Sequence, residues 1–437
     1  MKVYLDTIGC RLNQSEIEKM AAQFRAAGHI LVDQAGQADW VVVNTCSVTA
    51  AAASDSRQKI RQAVRAGAQE VFVTGCWATL EPDAAAQLAG VTRVIPNFEK
   101  DHLVARVLQI PEEIFDREPL IRQPLPGIHL RTRAFIKVQD GCDNFCTFCI
   151  TRIARGPGRS RSADEVLADI RTARAGETQE IVLSGVHLGS WGRDLQPTLQ
   201  LQDLIRMILA ETDIPRLRLS SLEPWNLDER FFRLWEDPRL CRHLHLPLQS
   251  GSALILKRMA RKTTPESYAR ILSMARAAAP EMAVTTDIIT GFPGETEQEF
   301  QASLDFVREM HFAGGHVFAY SARPGTAAAR LPGVVEGKTS RSRSAAVRVL
   351  LEESAVEYRE RFTGEVEPVL WEASDKLEAT GWRLHGLTGN YLKVTAHSPE
   401  HLWNKITPVR LKSLNGDGFE GEILTSQGLK YLPNGIK

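Results

Sequence analysis

Gly141-Cys142-Asp143-Asn144-Phe145-Cys146-Thr147-Phe148-Cys149 is the stretch on which the reading of this chain turns. Its cysteines are separated by three residues and then by two, a spacing that ligates three irons of a cubane cluster and no more. A cubane held wholly by protein takes four thiolates, so one iron is left open to an exogenous ligand. Structural zinc is the alternative, and it wants a fourth Cys or His close by. The next cysteine, Cys241, is far along the chain in an ordinary strand-and-helix context. Immediately before the triad, 134–138 reads as a short apolar strand, so the thiols sit where a strand ends and its loop begins.

Outward from that point the same unit repeats. Strands are predicted at 134–138, 180–184, 216–222, 243–249, 284–290 and 316–320, with helices between them. Ser162 followed by Glu165 is a capping box, Thr264 with Pro265 fits a cap and first helical position, and Thr296 with Glu299 begins a third helix. Strands alternating with helices indicate an α/β fold, and six units suit an incomplete (βα)6 barrel better than an open sheet. In such barrels the site lies at the carboxyl ends of the strands. Ser184 and Gly185, Glu223 and Gln249 close the second, third and fourth strands, and they are candidates for holding a nucleoside and amino-acid ligand. Ordinary loop chemistry is the competing reading of each. His187, His243, His245 and His316 lie near strand ends and are read as packing or hydrogen-bonding residues.

Upstream, 1–110 reads as a separate parallel α/β sheet domain. Cys10, Cys46 and Cys76 each follow an apolar run, Val41-Val42-Val43-Asn44-Thr45 being the plainest. Carboxyl ends of parallel strands share one edge, where ligands bind, so three separate stretches would bring three thiols to one point. The alternative is that each is a small buried hydrophobe. Asn13 is expected to cap a helix with Glu16 reaching back, and the helix after Cys46 to end near Gly67. The stretch 111–133, with prolines at 111, 119, 124 and 126, reads as a linker, and the barrel is taken as 134–362.

Beyond Gly364 the pattern changes to strands without strong helices, at 366–371, 382–386, 391–396, 409–414 and 419–424, which predicts a small β-barrel over 363–437. Such modules bind nucleic acid, and Lys393 is a candidate contact; a dimerising or capping role is the alternative. Arg152, Arg155, Arg159 and Arg161, just past the cysteine loop, are expected to grip phosphates. Lys plus Arg and Asp plus Glu number 53 each, a formal net charge of zero, so any nucleic-acid surface is a local patch. No apolar run is long enough to span a bilayer, and seven cysteines without a leader predict a reducing, cytoplasmic setting.

Taken together, Cys10-Arg11-Leu12-Asn13-Gln14, the Gly141 to Cys149 loop with Ala154-Arg155-Gly156, Leu246-Pro247-Leu248-Gln249-Ser250-Gly251, the turn Gly291-Phe292-Pro293-Gly294-Glu295 and Leu387-Thr388-Gly389-Asn390-Tyr391 resemble the radical SAM methylthiotransferases over almost the whole chain. Within that family, Ser184 to Asp194 and Ser220 to Trp225 are most similar to the members acting on threonylcarbamoyladenosine in tRNA. The resemblance implies an amino-terminal domain with an auxiliary 4Fe-4S cluster on Cys10, Cys46 and Cys76. It implies a radical SAM barrel whose 4Fe-4S cluster, on Cys142, Cys146 and Cys149, binds S-adenosylmethionine with Phe148 near the adenine, and a TRAM-like RNA-binding β-barrel. It also implies a tRNA anticodon loop as substrate, an external electron donor and a sulfur source. Two positions depart from the family pattern, Ile150-Thr151-Arg152 where a proline usually follows and Ala260 where asparagine is common; neither removes a ligand. Isopentenyladenosine in tRNA or an aspartate of a ribosomal protein are the alternative substrates, and an iron-sulfur or zinc RNA-binding module is the non-enzymatic alternative.

Overall fold

The structure is a computed structural model, and residues 1–115, 132–377 and 381–424 of the chain are described. Pro119, Pro124 and Pro126 of the expected linker lie outside these residues.

The amino-terminal strands β1 (Lys2–Thr7), β2 (Ile30–Leu31), β3 (Trp40–Thr45), β4 (Glu70–Gly75) and β5 (Val91–Ile95) form one parallel sheet in the order β2-β1-β3-β4-β5. Val41, Val42 and Val43 are fully buried, as a parallel strand covered on both faces requires. Helix α1 (Arg11–Ala26) starts earlier than expected: Cys10, in extended backbone, is its cap position, and no side chain caps it. That corrects the Asn13–Glu16 capping box. With the helix already running, the Asn13 amide is free to donate to Ile8 O at 2.7 Å and Thr45 O at 3.1 Å. Helix α2 (Ala50–Arg65) is capped by the Thr49 hydroxyl, which accepts from the Ala52 amide, and the chain turns at Gly67 with φ +91°.

The central strands are β6 (Arg133–Lys137), a short antiparallel ribbon of β7 (Gln139–Asp140) with β8 (Arg159–Ser160), then β9 (Glu180–Ser184), β10 (Arg216–Leu219), β11 (His243–His245), β12 (Ala283–Thr290) and β13 (Gly314–Ala319). Two parallel three-stranded sheets, β6-β9-β10 and β11-β12-β13, meet through bridges between Leu217 and Leu240 and between Ser221 and His245, giving the expected incomplete barrel. The fourth strand stops well short of 249. Pro247 has no N–H to continue the ladder, and Gln249 sits at φ +74°. All three expected caps form, with Ser267 closing the Thr264 box.

The carboxy-terminal strands β14 (Val366–Leu377), β15 (Gly381–Thr388), β16 (Lys393–Ser398), β17 (Ile406–Asn415) and β18 (Gly418–Ile423) close into a barrel in the order β14-β15-β16-β18-β17. It docks under the amino-terminal ends of the central strands, away from the cysteine loop. Arg218 pairs with Glu180 at 2.6 Å and donates to the carbonyls of Gly389 and Thr388 at 3.0 and 3.2 Å, while Arg216 donates to Leu387 O at 2.9 Å. Burial would raise the Glu180 carboxyl, but Arg218 and Arg216 hold it below its ordinary value. Each buried charge here has its counter-charge, which is the condition for placing it in a core. Among the described residues no helix is long and apolar enough to cross a membrane.

Candidate active site

The barrel triad is shaped by its backbone. Gly141 has φ +70°, and a Cβ there would meet Pro157 O at 1.8 Å, so only glycine lets the loop fold onto its return strand. The Cys142 amide then donates to Gly156 O at 3.1 Å and the Cys149 amide to Cys146 O at 3.1 Å. All three thiols are half-buried and unpaired. Burial pushes the Cys142 thiol up to about 11; the Asn144 amide pulls it down and the nearby Cys149 and Cys146 raise it further. Backbone N–H of Asn144 points at Cys142 Sγ from 3.4 Å and Arg261 Nη1 at Cys146 Sγ from 3.9 Å. N–H donors around converging thiols suit thiolate ligands of a cluster and are among the levers that set its potential. Three thiols in one loop that holds no fourth Cys or His, two of them approached by N–H donors, are a donor set that fits a cubane with one iron open.

The amino-terminal triad is equally convergent. Cys10, Cys46 and Cys76 follow the carboxyl ends of β1, β3 and β4. Burial raises the Cys46 thiol, and the Cys10 and Cys76 thiols act on it at short range. Gly9, at φ +105°, leaves room for Cys46: a Cβ there would lie 2.5 Å from its Sγ. Asn97 Nδ2 lies 3.6 Å from Cys76 Sγ and donates to Ala154 O at 2.8 Å. The short helix Thr151–Arg155, which follows the barrel cysteines, is thus linked to the amino-terminal triad through Asn97.

Arg155 corrects an expectation. It is 3% exposed, and its guanidinium donates to Glu16 at 2.9 Å, Asp140 at 2.9 Å and Asn13 Oδ1 at 2.8 Å. Lys100 at 2.7 Å and Lys137 at 3.5 Å complete the charge around Glu16. The arginine clamps the amino-terminal domain to the barrel and has no face for a phosphate. Arg161 is likewise engaged, by Asp169 at 2.6 Å and Lys137 O at 3.0 Å, and exposed Lys393 pairs with Asp417. Arg152 and Arg159 remain outward: Arg152 stacks over the exposed Phe145 ring at 3.8 Å, and Arg159 is 3.9 Å from Asp140 with its side chain 44% exposed. Replacing Arg152 and Arg159 with alanine is expected to weaken RNA binding and flatten its salt dependence by about one unit of log-log slope per lost contact. Titrating salt against affinity checks this; an unchanged slope rejects it.

The other strand-end residues meet around the barrel loop. Glu223 pairs with Arg261 at 2.6 Å, and Arg261 lies over the Trp225 ring at 4.5 Å. Ser184 is buried and donates weakly to Val182 O at 3.4 Å, while a Cβ on Gly185 would press on Gln139 at 3.1 Å. Gln249 holds its strained φ through hydrogen bonds with Asp287 O and the Ile289 amide, both 2.8 Å. Phe148 packs against Ile255, Met259, Phe292 and Ala328. Beside them a cavity of about 280 Å3 opens at the ends of β12 and β13, lined by Gly291, Tyr320, Ala328 and Ser340 among others. The Tyr320 and Ser340 hydroxyls are buried there without partners. His187 is pushed down to about 4 by burial and by the charges of Arg193, Lys262 and Arg261. It stays neutral, wedged between the amides of Asn144 and Asn226.

Asn97, Lys100 and Arg261 were not singled out from sequence as parts of the site. The one signal pointing that way was a lysine, Lys137, inside the apolar strand 134–138, since a charge at such a position demands partners.

Comparison with known proteins agrees with this geometry. Residues 136–307 match the radical SAM superfamily and residues 2–95 the uncharacterized protein family UPF0004. The threonylcarbamoyladenosine tRNA methylthiotransferase MtaB of Bacillus subtilis is 35% identical, covering 97% of this chain and 96% of that protein. The protein of the same name from Thermotoga maritima is also 35% identical, over 95% of each chain. A tRNA-2-methylthio-N(6)-dimethylallyladenosine synthase from Maricaulis maris is 29% identical over 98% of each. Among solved structures, the radical S-adenosylmethionine methyltransferase TsrM from Kitasatospora setae shares the fold, with a TM-score of 0.56 at 16% identity over 72% of each chain.

Proposed function

The chain belongs to the radical SAM methylthiotransferases, and from that premise we propose that it adds a methylthio group to carbon 2 of threonylcarbamoyladenosine, 3′ of the anticodon, in tRNA. The observation that carries the reading is the pair of convergent cysteine triads on either side of one short helix, in a chain 35% identical over nearly its full length to enzymes named for that substrate.

The radical SAM domain implies S-adenosylmethionine and a 4Fe-4S cluster, which we assign to Cys142, Cys146 and Cys149; a second, auxiliary cluster is assigned to Cys10, Cys46 and Cys76. When bound, these groups supply a 5′-deoxyadenosyl radical to take hydrogen from carbon 2, sulfur to replace it and a methyl group to cap the sulfur. The chain's own work is placement. Phe148, Ser184, Gly185, Glu223 and Gln249 would hold S-adenosylmethionine across the barrel mouth, with Arg261 fixing the Glu223 carboxylate. The Glu16–Arg155 clamp would keep the two triads in register. We divide the chain into 1–110, the linker 111–133, the barrel 134–362 and a TRAM-like RNA-binding module at 363–437. A target base in the single-stranded anticodon loop can be splayed out and read by stacking and edge contacts, with Arg152 and Arg159 on the adjoining backbone. This reading calls for an external electron donor and a sulfur source, and it places the enzyme in the cytoplasm, where tRNA is.

Nucleoside analysis of tRNA from a strain lacking the gene tests the proposal. Methylthiolated threonylcarbamoyladenosine is expected to vanish while its unthiolated precursor accumulates. Loss of the methylthiolated isopentenyl nucleoside instead, or unchanged tRNA with an altered ribosomal protein, overturns it.

A further inference from the structure

The central strands carry several arginines on the side facing the carboxy-terminal barrel, and each already has a partner that neutralises or saturates it. Arg218 is held by Glu180 at 2.6 Å, Arg133 by Glu372 at 2.5 Å, and Arg216 donates to the Leu387 carbonyl at 2.9 Å. Arg11 differs. It follows Cys10 directly, opens α1, is half-buried, and among the described residues has no carboxylate partner. Among the described residues its one side-chain hydrogen bond is from Nη2 to the Tyr391 hydroxyl at 3.1 Å. Tyr391 comes from the carboxy-terminal barrel with φ +72°, stacks on His243 with ring centres 4.5 Å apart, and lies 5.0 Å from the Arg218 guanidinium. Three parts of the chain therefore meet around one cation that has no carboxylate partner among the described residues.

We infer that Arg11, positioned by Tyr391, reads the carboxylate carried on N6 of the substrate adenosine. The inference rests on the proposed substrate and names what recognises it. A threonylcarbamoyl group is threonine joined through its amine to a carbamoyl on N6, so its carboxylate is free. Carbon 2 and carbon 6, which bears N6, flank N1 on one edge of the base. Arg11 follows Cys10, the cap position of α1, and its guanidinium is held by a residue that reaches up from the carboxy-terminal barrel, so on this inference it borders the side assigned to sulfur delivery at carbon 2 and meets the group on N6. Arginine presents the planar fork that a carboxylate takes in two parallel hydrogen bonds. A dimethylallyl group on N6 offers no anion and leaves the guanidinium unpaired, and sites built for a polar group discriminate against substrates that lack it.

Equilibrium binding of the anaerobically reconstituted enzyme to two anticodon stem-loops tests this, one carrying threonylcarbamoyladenosine and the other plain adenosine at the same position. The wild type is expected to prefer the modified RNA by about ten- to hundredfold, the worth of a charge-assisted hydrogen-bonded pair. Arg11→Gln should erase that preference at unchanged iron content, with the loss in turnover carried by KM rather than kcat. Arg11→Lys should restore part of it, and Tyr391→Phe should lose part. Equal weakening toward both RNAs would make Arg11 a phosphate contact and overturn the inference, as would a preference that survives in Arg11→Gln. If the wild type fails to methylthiolate the modified stem-loop, the substrate reading itself falls and takes the inference with it. Wild-type turnover combined with an intact preference in the variant rejects the inference alone.

Discussion

Alanine at Cys142, Cys146 and Cys149 is expected to abolish reductive cleavage of S-adenosylmethionine and to halve the iron and sulfide of the reconstituted protein. Each triad offers three thiols and no fourth, so removing one set removes one cluster and its open iron together. Alanine at Cys10, Cys46 and Cys76 should also halve the iron, yet leave uncoupled cleavage of S-adenosylmethionine without sulfur insertion into RNA. Iron and sulfide content, 5′-deoxyadenosine release and RNA product are the three readouts. Methylthiolated product from the second variant rejects the auxiliary assignment. Loss of both clusters from either variant, with circular dichroism unchanged, rejects independent sites.

Glu16→Gln is expected to be among the most destabilising single substitutions in the protein. The Glu16 carboxylate is 1% exposed and compensates Lys100 and Arg155, themselves 1% and 2% exposed, with Lys137 behind them. Neutralising it strands buried positive charge, and breaking a buried ion pair from one side costs about 3–5 kcal/mol. Because the partners come from the amino-terminal domain and the barrel, the loss should also loosen the contact between them. Thermal unfolding and limited proteolysis at the domain junction check this; a melting curve matching wild type rejects it. The pH dependence follows with a definite sign. Burial alone would raise the Glu16 carboxyl, but Arg155, Lys100 and Lys137 hold it well below its ordinary value. Its folded pKa is therefore below its unfolded one, near about 4.3 for glutamate. Its contribution is complete above that unfolded value and is lost as pH falls through the folded one. In Glu16→Gln that segment of the acid limb should be flatter than in wild type.

The short-range signals in the sequence were enough to lay out the architecture. Apolar runs ending in cysteine gave the parallel sheet, Ser162 with Glu165 and Thr296 with Glu299 gave helix starts, and the cysteine spacing gave the barrel loop, because these depend on hydrogen bonds and side chains only a few residues apart. The fourth strand was read too long, although Pro247 was a local clue that its ladder had to stop. Asn13 was taken for a cap because its spacing to Glu16 is right. Only the fold shows the helix already begun at Arg11, with Glu16 drawn inward by cations 84, 121 and 139 residues away, at Lys100, Lys137 and Arg155. The same long-range pull removed Arg155 from the phosphate-gripping set and left Arg152 and Arg159 on the surface.

Element order, the two cysteine triads and the family were legible along the chain, since each is written in residues close together or matched in order. Which charges are neutralised and which are left over depended on the packed fold. Neighbouring arginines are indistinguishable in sequence, but burying one demands a counter-charge that packing must bring from elsewhere. That pairing took Arg155 inward to Glu16 and Arg218 to Glu180, and among the described residues it left Arg11, beside Cys10, with a tyrosine hydroxyl as its partner.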